Sequence, residues 1–394
     1  MEVIFWLGIA VITYTYIGYP LLLFLLVKLK RMIRPSVSLL FKENELPYVS
    51  LIIACYNEGE VLREKIQNTL SLDYPADKLN ICFVTDGTSD GSERMVAEDE
   101  RLTLFHSHER KGKNAAINRV LPLLDSPILI FCDANTFLNK EAIFKIVRHY
   151  KNENVGAVAG EKRVESIGEL DRAGEGEGAY WKYESALKKW DAELKTVVGA
   201  AGELFSVRKE LMEKVPDGIL IEDFYVSVKV AQKGYKVVYE PDAYAVEGGS
   251  ASISEERKRK VRISAGGLQA VWLFMPLLNI FKYGWLSFQY VSHRVLRWTL
   301  APMFLVIVLL SNIYLAIDQQ GLYIYLLVAQ SLFYAFALMG KFTENMERSP
   351  KVFFIPFYFV FMNLSVFQGF FRLVSGRQSA VWEKAERAKA TGSI

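Results

Sequence analysis

Apolar residues gather into blocks along this chain rather than spreading evenly. Val3 to Val27 is almost uncharged, and roughly 20 such residues span a bilayer. Three more blocks of that kind lie at 299–317, 322–340 and 352–372. One large soluble helical core is the alternative reading, but four such runs rarely occur together in soluble proteins. A further block, Leu268 to Val291, is broken by Pro276, Asn279, Lys282 and Gly284 and carries Trp272 and Trp285. That mixture predicts helices lying in the headgroup layer rather than a spanning one. Between the first block and the later ones the pattern changes. Short apolar runs at Val49–Cys55, Asn80–Thr85, Leu102–His106, Ile128–Cys132 and Val155–Gly160 read as strands. Helical periodicity fills the gaps at Val61–Leu72, Ser92–Glu98, Lys113–Leu124 and Glu141–Tyr150. Such alternation predicts an α/β domain, a mostly parallel sheet with helices on both faces.

Composition and charge sharpen this division. With 394 residues, 51% of them hydrophobic, two or three folding units are expected, a membrane part joined to a soluble part. The predicted boundaries are an anchor at 1–34, the α/β domain at 48–262, interfacial helices at 263–298, membrane helices at 299–374 and a basic tail at 375–394. A net charge of +3 gives no reason to expect a nucleic-acid partner. No basic residue precedes the first block, whereas Lys28, Lys30, Arg31 and Arg34 follow it. A secretory signal has the reverse order, so a retained anchor is expected. The positive-inside rule then puts residue 28 onward in the cytoplasm of a multi-pass protein of the cell (inner) membrane. Topology stays open at the far end. One anchor and three spans would place the C-terminus outside, yet the tail is rich in Lys and Arg. Cys55, Cys82 and Cys132 sit singly in apolar runs without metal-ligand spacing, as reduced, strand-buried residues would.

In open α/β sheets, ligands bind beyond the carboxyl ends of the strands. Four such ends carry chemistry here: Tyr56-Asn57-Glu58, Asp86 to Gly91, Arg110 to Asn114, and Asp133-Ala134-Asn135. Taken singly, each has a plainer reading: Asn57 and Asp90 as helix caps, Asp86-Gly87 as a turn, and the lysines as a solvated helix start. Together they suit a metal-bound phosphate ester. Tyr56, Glu58 and Asp86 can form a slot for a nucleobase, and Lys111 or Lys113 can neutralise phosphate. Hard Mg2+ or Mn2+ takes one or two protein oxygens and leaves the rest to phosphate and water. Asp133 offers a full ligand and Asn135 a carbonyl oxygen.

The stretches "SLIIACYNEGEVL", "FVTDGTSDGS", "RKGKNAAIN", "FCDANT", "VGAAGELFSVR" and "IEDFYVSVKVAQKGYKVVYEPDA" occur in this order. Over about residues 48–262 the chain thereby resembles the glycosyltransferase family 2 catalytic domain of the GT-A fold, with membrane segments flanking it as in the hyaluronan, poly-N-acetylglucosamine and cellulose synthase-type members. The resemblance implies that Glu58 and Asp86 contact uridine, Lys113 the diphosphate and Asp133 the metal. Asn135 departs from the family's second Asp, which lowers the charge at the metal without removing a ligand. The family also carries an ED pair, matched by Glu222-Asp223, whose Asp is the base. Transfer of a sugar does require a carboxylate within reach of the acceptor hydroxyl, although acids in the first turn of a helix also suit its dipole. Asp223 is the expected base and Glu222 its orienter, with inversion at the anomeric carbon.

The acceptor side is less defined. Gly199 to Gly202 fits backbone approaching a sugar and fits a strand turn equally well. Trp181 can stack on a sugar ring or belong to a core stripe. Synthases of this family carry Gln-x-x-Arg-Trp where this chain has Arg259-Lys260-Val261-Arg262-Ile263. Arg262 matches the Arg and can pair with pyrophosphate, while Gln and Trp are replaced. Trp382, in a distal "SAVWEKAER", resembles the tail of some membrane synthases. The expected activity is single transfer from a nucleotide sugar, UDP-linked, to a lipid-linked or glycan acceptor, with membrane lipids as surroundings. A processive synthase that extrudes its polymer and a non-catalytic assembly subunit are the rivals. The missing Gln and Trp count against the first, and the intact Asp86, Asp133 and Asp223 against the second.

Overall fold

The computed structural model describes residues 1–33, 45–165, 172–250, 252–343 and 350–376. Trp382 and the basic tail lie outside them. The chain divides into two compact units. It opens with helix α1 (Glu2–Ile33), which passes through one π-helical turn at Tyr14–Gly18.

One unit is built on an eight-stranded sheet. In chain order its strands are β1 (Val49–Cys55), β2 (Leu79–Thr85), β3 (Leu102–Phe105), β4 (Ile128–Asp133), β5 (Phe137–Leu138), β6 (Val155–Glu165), β7 (Leu204–Arg208) and β8 (Lys236–Gly248). Their spatial order is β3-β2-β1-β4-β7-β6-β8-β5. The first four are mutually parallel. All seven residues of β1 are buried, as expected of a strand covered on both faces. Interleaved helices are α2 (Gly59–Leu70), α3 (Ser92–Ala97), α4 (Lys113–Val120), α5 (Ala142–Val147), α6 (Arg172–Leu194) and α7 (Glu222–Gln232).

Strand order decides where a ligand can sit. The chain winds from β1 outward to β3, then returns to place β4 on the other side of β1. At such a switch point the connecting loops part and leave a crevice beyond the strand ends. Ala54 pairs with Asp133 and Cys55 with Thr85, so Tyr56, Asp86 and Asp133 leave the sheet at nearly one level. The sheet is not parallel throughout. β7 lies antiparallel between β4 and β6, and β5 closes the far edge antiparallel to β8. β8 pairs with β6 through a register shift between Gly160 and Glu161, near Pro241. Proline has no N–H for the ladder, so such a break is where it is tolerated.

The other unit is helical. Its segments are α8 (Ile253–Leu273), α9 (Ile280–Tyr283), α10 (Trp285–Tyr290), α11 (Leu300–Asp318), α12 (Leu322–Phe342) and α13 (Lys351–Val374). Together with α1, the last three are long and apolar enough to cross a membrane. Small residues let these helices approach: a Cβ on Gly340 would meet the Phe353 carbonyl oxygen at 2.4 Å, and one on Gly369 the Ala265 amide at 2.7 Å. The interrupted block breaks where its sequence says it should. Asn279 caps α9, accepting a hydrogen bond from the Lys282 amide, and Gly284 takes a positive φ of 52° between α9 and α10. Trp272, Phe281 and Trp285 are exposed there. α8 runs through the basic segment at 257–262, so this segment is part of a regular helix in the helical unit.

Candidate active site

A small cleft opens at the switch point, lined by Tyr56, Asp86, Arg110, Gly112, Lys113 and the apolar ends of β1 and β2. Asp86 is nearly buried, and its Oδ2 accepts from the amides of Lys111 (3.0 Å) and Gly112 (2.6 Å). Those bonds pull the loop after β3 against the end of β2. Gly87, with φ 67°, makes room, since a Cβ there would come within 2.5 Å of Arg110 Cβ. The Arg110 guanidinium in turn lies 3.8 Å over the Tyr56 ring. Burial pushes the Cys55 thiol up to about 12, helped by Glu58 and Asp90, so it stands in the wall as a neutral, inert group. Glu58 is buried at the start of α2, where its carbonyl accepts from Val61 and Leu62.

Beside this cleft the chain gathers four charges. Lys113 Nζ lies 2.6 Å from Asp133 Oδ1 and 2.7 Å from Glu222 Oε1. Burial alone would lower the Lys113 ammonium, but the two carboxylates outweigh it and raise it above its ordinary value. Asp223 is next in sequence to Glu222, and burial, followed by the charges of Glu222 and Glu203, lifts its carboxyl to about 7; the Phe224 amide and Lys113 oppose the rise. A Cβ on Gly202 would sit 3.5 Å from Asp223 Oδ2 and 3.7 Å from Lys113 Nζ. Gly202 therefore backs directly onto the pair. Gly199 takes φ 92° because Phe224 leaves no space for a Cβ, which would fall 2.2 Å from its ring.

Two asparagines one helical turn apart hold α4 against the segment before α7. Asn114 Nδ2 donates to the Ile219 carbonyl (2.8 Å), and Asn118 exchanges bonds with Val215 in both directions (2.8 and 2.9 Å). This latch is what carries Lys113 to Glu222, more than 100 residues away. Sequence reasoning passed over it. The i, i+4 spacing of Asn114 and Asn118 on one helix face was the available signal.

The remaining expected residues fall elsewhere. Lys111 gives the cleft its amide, while its side chain pairs with Glu109 at 2.6 Å in solvent. Asn135 is half-exposed on the turn after β4. Trp181, on α6, packs edge-on to Tyr180 and lies 5.0 Å from Lys162 Nζ and 4.9 Å from Lys188 Nζ. Lys162 pairs with Glu203, a neighbour of Gly202 that sequence reasoning also left aside. Arg262 belongs to α8 of the helical unit. Asp90 caps helices, accepting from the Ser92 amide and hydroxyl and from the Gly59 amide. Asn57 adopts φ 52°, with its Oδ1 accepting from the Ser89 amide. All three cysteines are free and buried.

Residues 50–215 match the family model described as Glycosyl transferase family 2. This stretch is a glycosyl transferase family 2 domain. A poly-beta-1,6-N-acetyl-D-glucosamine synthase of Staphylococcus aureus is 25% identical over 239 residues, 57% of this chain and 55% of that protein. A beta-monoglucosyldiacylglycerol synthase of Trichormus variabilis is 29% identical over 172 residues, 41% of this chain and 35% of the relative. The chain thus spans about half the length, or less, of these curated relatives. A solved mannosyltransferase of Pyrobaculum calidifontis, in complex with GDP-Man and Mn2+, superposes with a TM-score of 0.70 at 21% identity, covering 95% of this chain and 100% of that one. The transferase domain has the GT-A fold, and the likeness extends beyond it over nearly the whole chain.

Proposed function

We propose that the protein transfers one sugar at a time from a nucleoside-diphosphate sugar, UDP-linked, to a hydroxyl of a lipid-linked or glycan acceptor at the cytoplasmic face of the cell membrane, with inversion. The observation that carries this reading is the gathering of Asp223, next to Glu222 and backed by Gly202, with a lysine that bridges Asp133 and Glu222; burial and Glu222 raise the Asp223 carboxyl well above its ordinary value. A general base works best with a value near the operating pH. Asp223 takes the proton from the acceptor hydroxyl while that oxygen bonds to the anomeric carbon and the bond from that carbon to the diphosphate breaks. Lys113 faces the charge that develops on the leaving diphosphate, with Glu222 orienting its ammonium. Tyr56, Glu58 and Asp86 form the base side of the site, with Lys111 at its mouth and Arg262 as a further pyrophosphate partner. Gly199, Gly202 and Trp181 form the acceptor side.

The residues fit a divalent cation. The chemistry of the donor set supports this: Asp133 and Asn135 offer a carboxylate and an amide oxygen on one turn, both partly exposed, as suits a hard cation that takes its other ligands from phosphate and water. Asp133 and Asn135 would hold Mg2+ or Mn2+, and the ion would neutralise charge on the diphosphate.

A screen of nucleotide sugars with purified full-length protein, with and without Mn2+ or Mg2+, tests this. Donor turnover should require the ion, and Asp223→Asn should cut it ~10²–10⁴-fold, the span typical of a general base, while nucleotide binding persists. Turnover near the parent rate in Asp223→Asn would remove the base. A processive synthase is the second reading, favoured by the match to a polymer synthase over 239 residues. Resolving radiolabelled products by length separates the two, since a ladder of long chains belongs to the synthase alone.

A further inference from the structure

Lys65 occupies an unexpected place for a lysine. It falls on the inward stripe of α2, between Leu62 and Thr69, and it is fully buried. Its Nζ donates to the Thr136 carbonyl at 2.6 Å and to Cys132 Sγ at 3.0 Å. Neither acceptor is a carboxylate. Burying an ammonium in this way opposes folding, and a neutral side chain could have supplied the hydrogen bonds. Asn68, one turn along α2, does so for the next piece of the same segment: it donates to the Leu138 carbonyl (2.8 Å) and accepts from the Leu138 amide (2.9 Å).

The charged anchor is confined to residues 132–136, which close on themselves around it. Thr136 Oγ1 donates to the Asp133 carbonyl (3.0 Å) and lies 3.1 Å from Cys132 Sγ. Asp133 and Asn135 are the two residues of this turn that face away from the core, while Cys132, Ala134 and Thr136 are buried. The Lys65 side chain therefore stands behind the turn, on its buried side.

We infer that Lys65 is a positioning residue for donor binding: its buried ammonium locks the 132–136 turn so that Asp133 and Asn135 present their oxygens together to a divalent cation and a nucleoside diphosphate. This rests on the proposed role of Asp133 and Asn135. A purely packing role would affect folding; the positioning role affects the gain in nucleotide affinity that a cation brings.

Calorimetric titration of UDP and GDP, with and without Mn2+, into the full-length protein reads that gain directly. Lys65→Met keeps the aliphatic stem and removes the charge. It should fold at least as well as the parent, bind metal-free nucleotide within about twofold of it, and lose about tenfold in the Mn2+-dependent gain, equivalent to about 1.4 kcal/mol. An undiminished gain overturns the inference, and so does an equal loss with and without Mn2+, which would mean general damage. Should Lys65→Met fail to fold, Cys132→Ala keeps the lysine and removes one of its two acceptors. A partial loss of the gain supports the inference there, and an unchanged gain overturns it. If the parent protein shows no Mn2+-dependent gain with either nucleotide, the proposed donor site itself fails, a result separate from any difference between variants.

Discussion

Asp223 titrates near neutrality because its ionised form gives up solvent and meets Glu222 before it meets Lys113. Below its value near 7 the carboxyl holds a proton and cannot accept another. kcat/KM should therefore rise with pH through about 7 and fall roughly tenfold per unit on the acid side, as a pH profile with saturating cation will show. The same shift bears on stability with a definite sign. The folded value lies above the ordinary 3.8, so this group favours folding at low pH and loses that contribution as pH rises through about 7. Asp223→Asn should raise the melting temperature above pH 7 even as it slows transfer. Gly199→Ala meets both a positive φ and the Phe224 ring, and should cost ~1–3 kcal/mol by overpacking, read as a lower thermal midpoint. At this scale the sequence exposed residues whose chemistry is their own, such as Asp86, Asp133 and Asp223. It hid Lys65 and Glu203, whose significance comes from neighbours distant in the chain.

The elements that bring the charges together are α4 and the segment leading into α7. Asn118→Ala would leave the Val215 amide without its partner and should cost ~1–3 kcal/mol, the usual penalty of an orphaned backbone group. Because the same latch sets the spacing of Lys113 and Glu222, kcat/KM should fall along with the thermal midpoint. The parallel half of the sheet was legible: β1 to β4 begin and end within a few residues of their apolar runs, since strands buried on both faces are continuous in sequence. β6 extends to Glu165, five residues past its apolar run, because its second half is held by pairing with β8 rather than by its own hydrophobicity. β7 and the two-residue β5 were not legible as sheet members, since their order and direction depend on partners far along the chain.

At the scale of the whole molecule, four helices among the described residues meet the length and apolarity of membrane spans, and α12 and α13 approach closely at Gly340, where a Cβ would meet the Phe353 carbonyl oxygen. Gly340→Val must push Phe353 away and should cost ~1–3 kcal/mol, seen as a lower unfolding temperature in detergent. The local rules of the chain were enough for its two regimes. Unbroken apolar runs, the breaks at Pro276 and Gly284, and strand–helix alternation follow from the solvation and backbone limits of nearby residues. A mostly parallel sheet with polar strand ends follows from that alternation. Tertiary structure alone decided that Lys113 joins Asp133 to Glu222, that Asp223 is raised to about 7, and that a lysine lies beneath the 132–136 turn. Each depends on the distance between groups that folding brings together, and charge interactions and desolvation are set by distance and burial rather than by position in the chain.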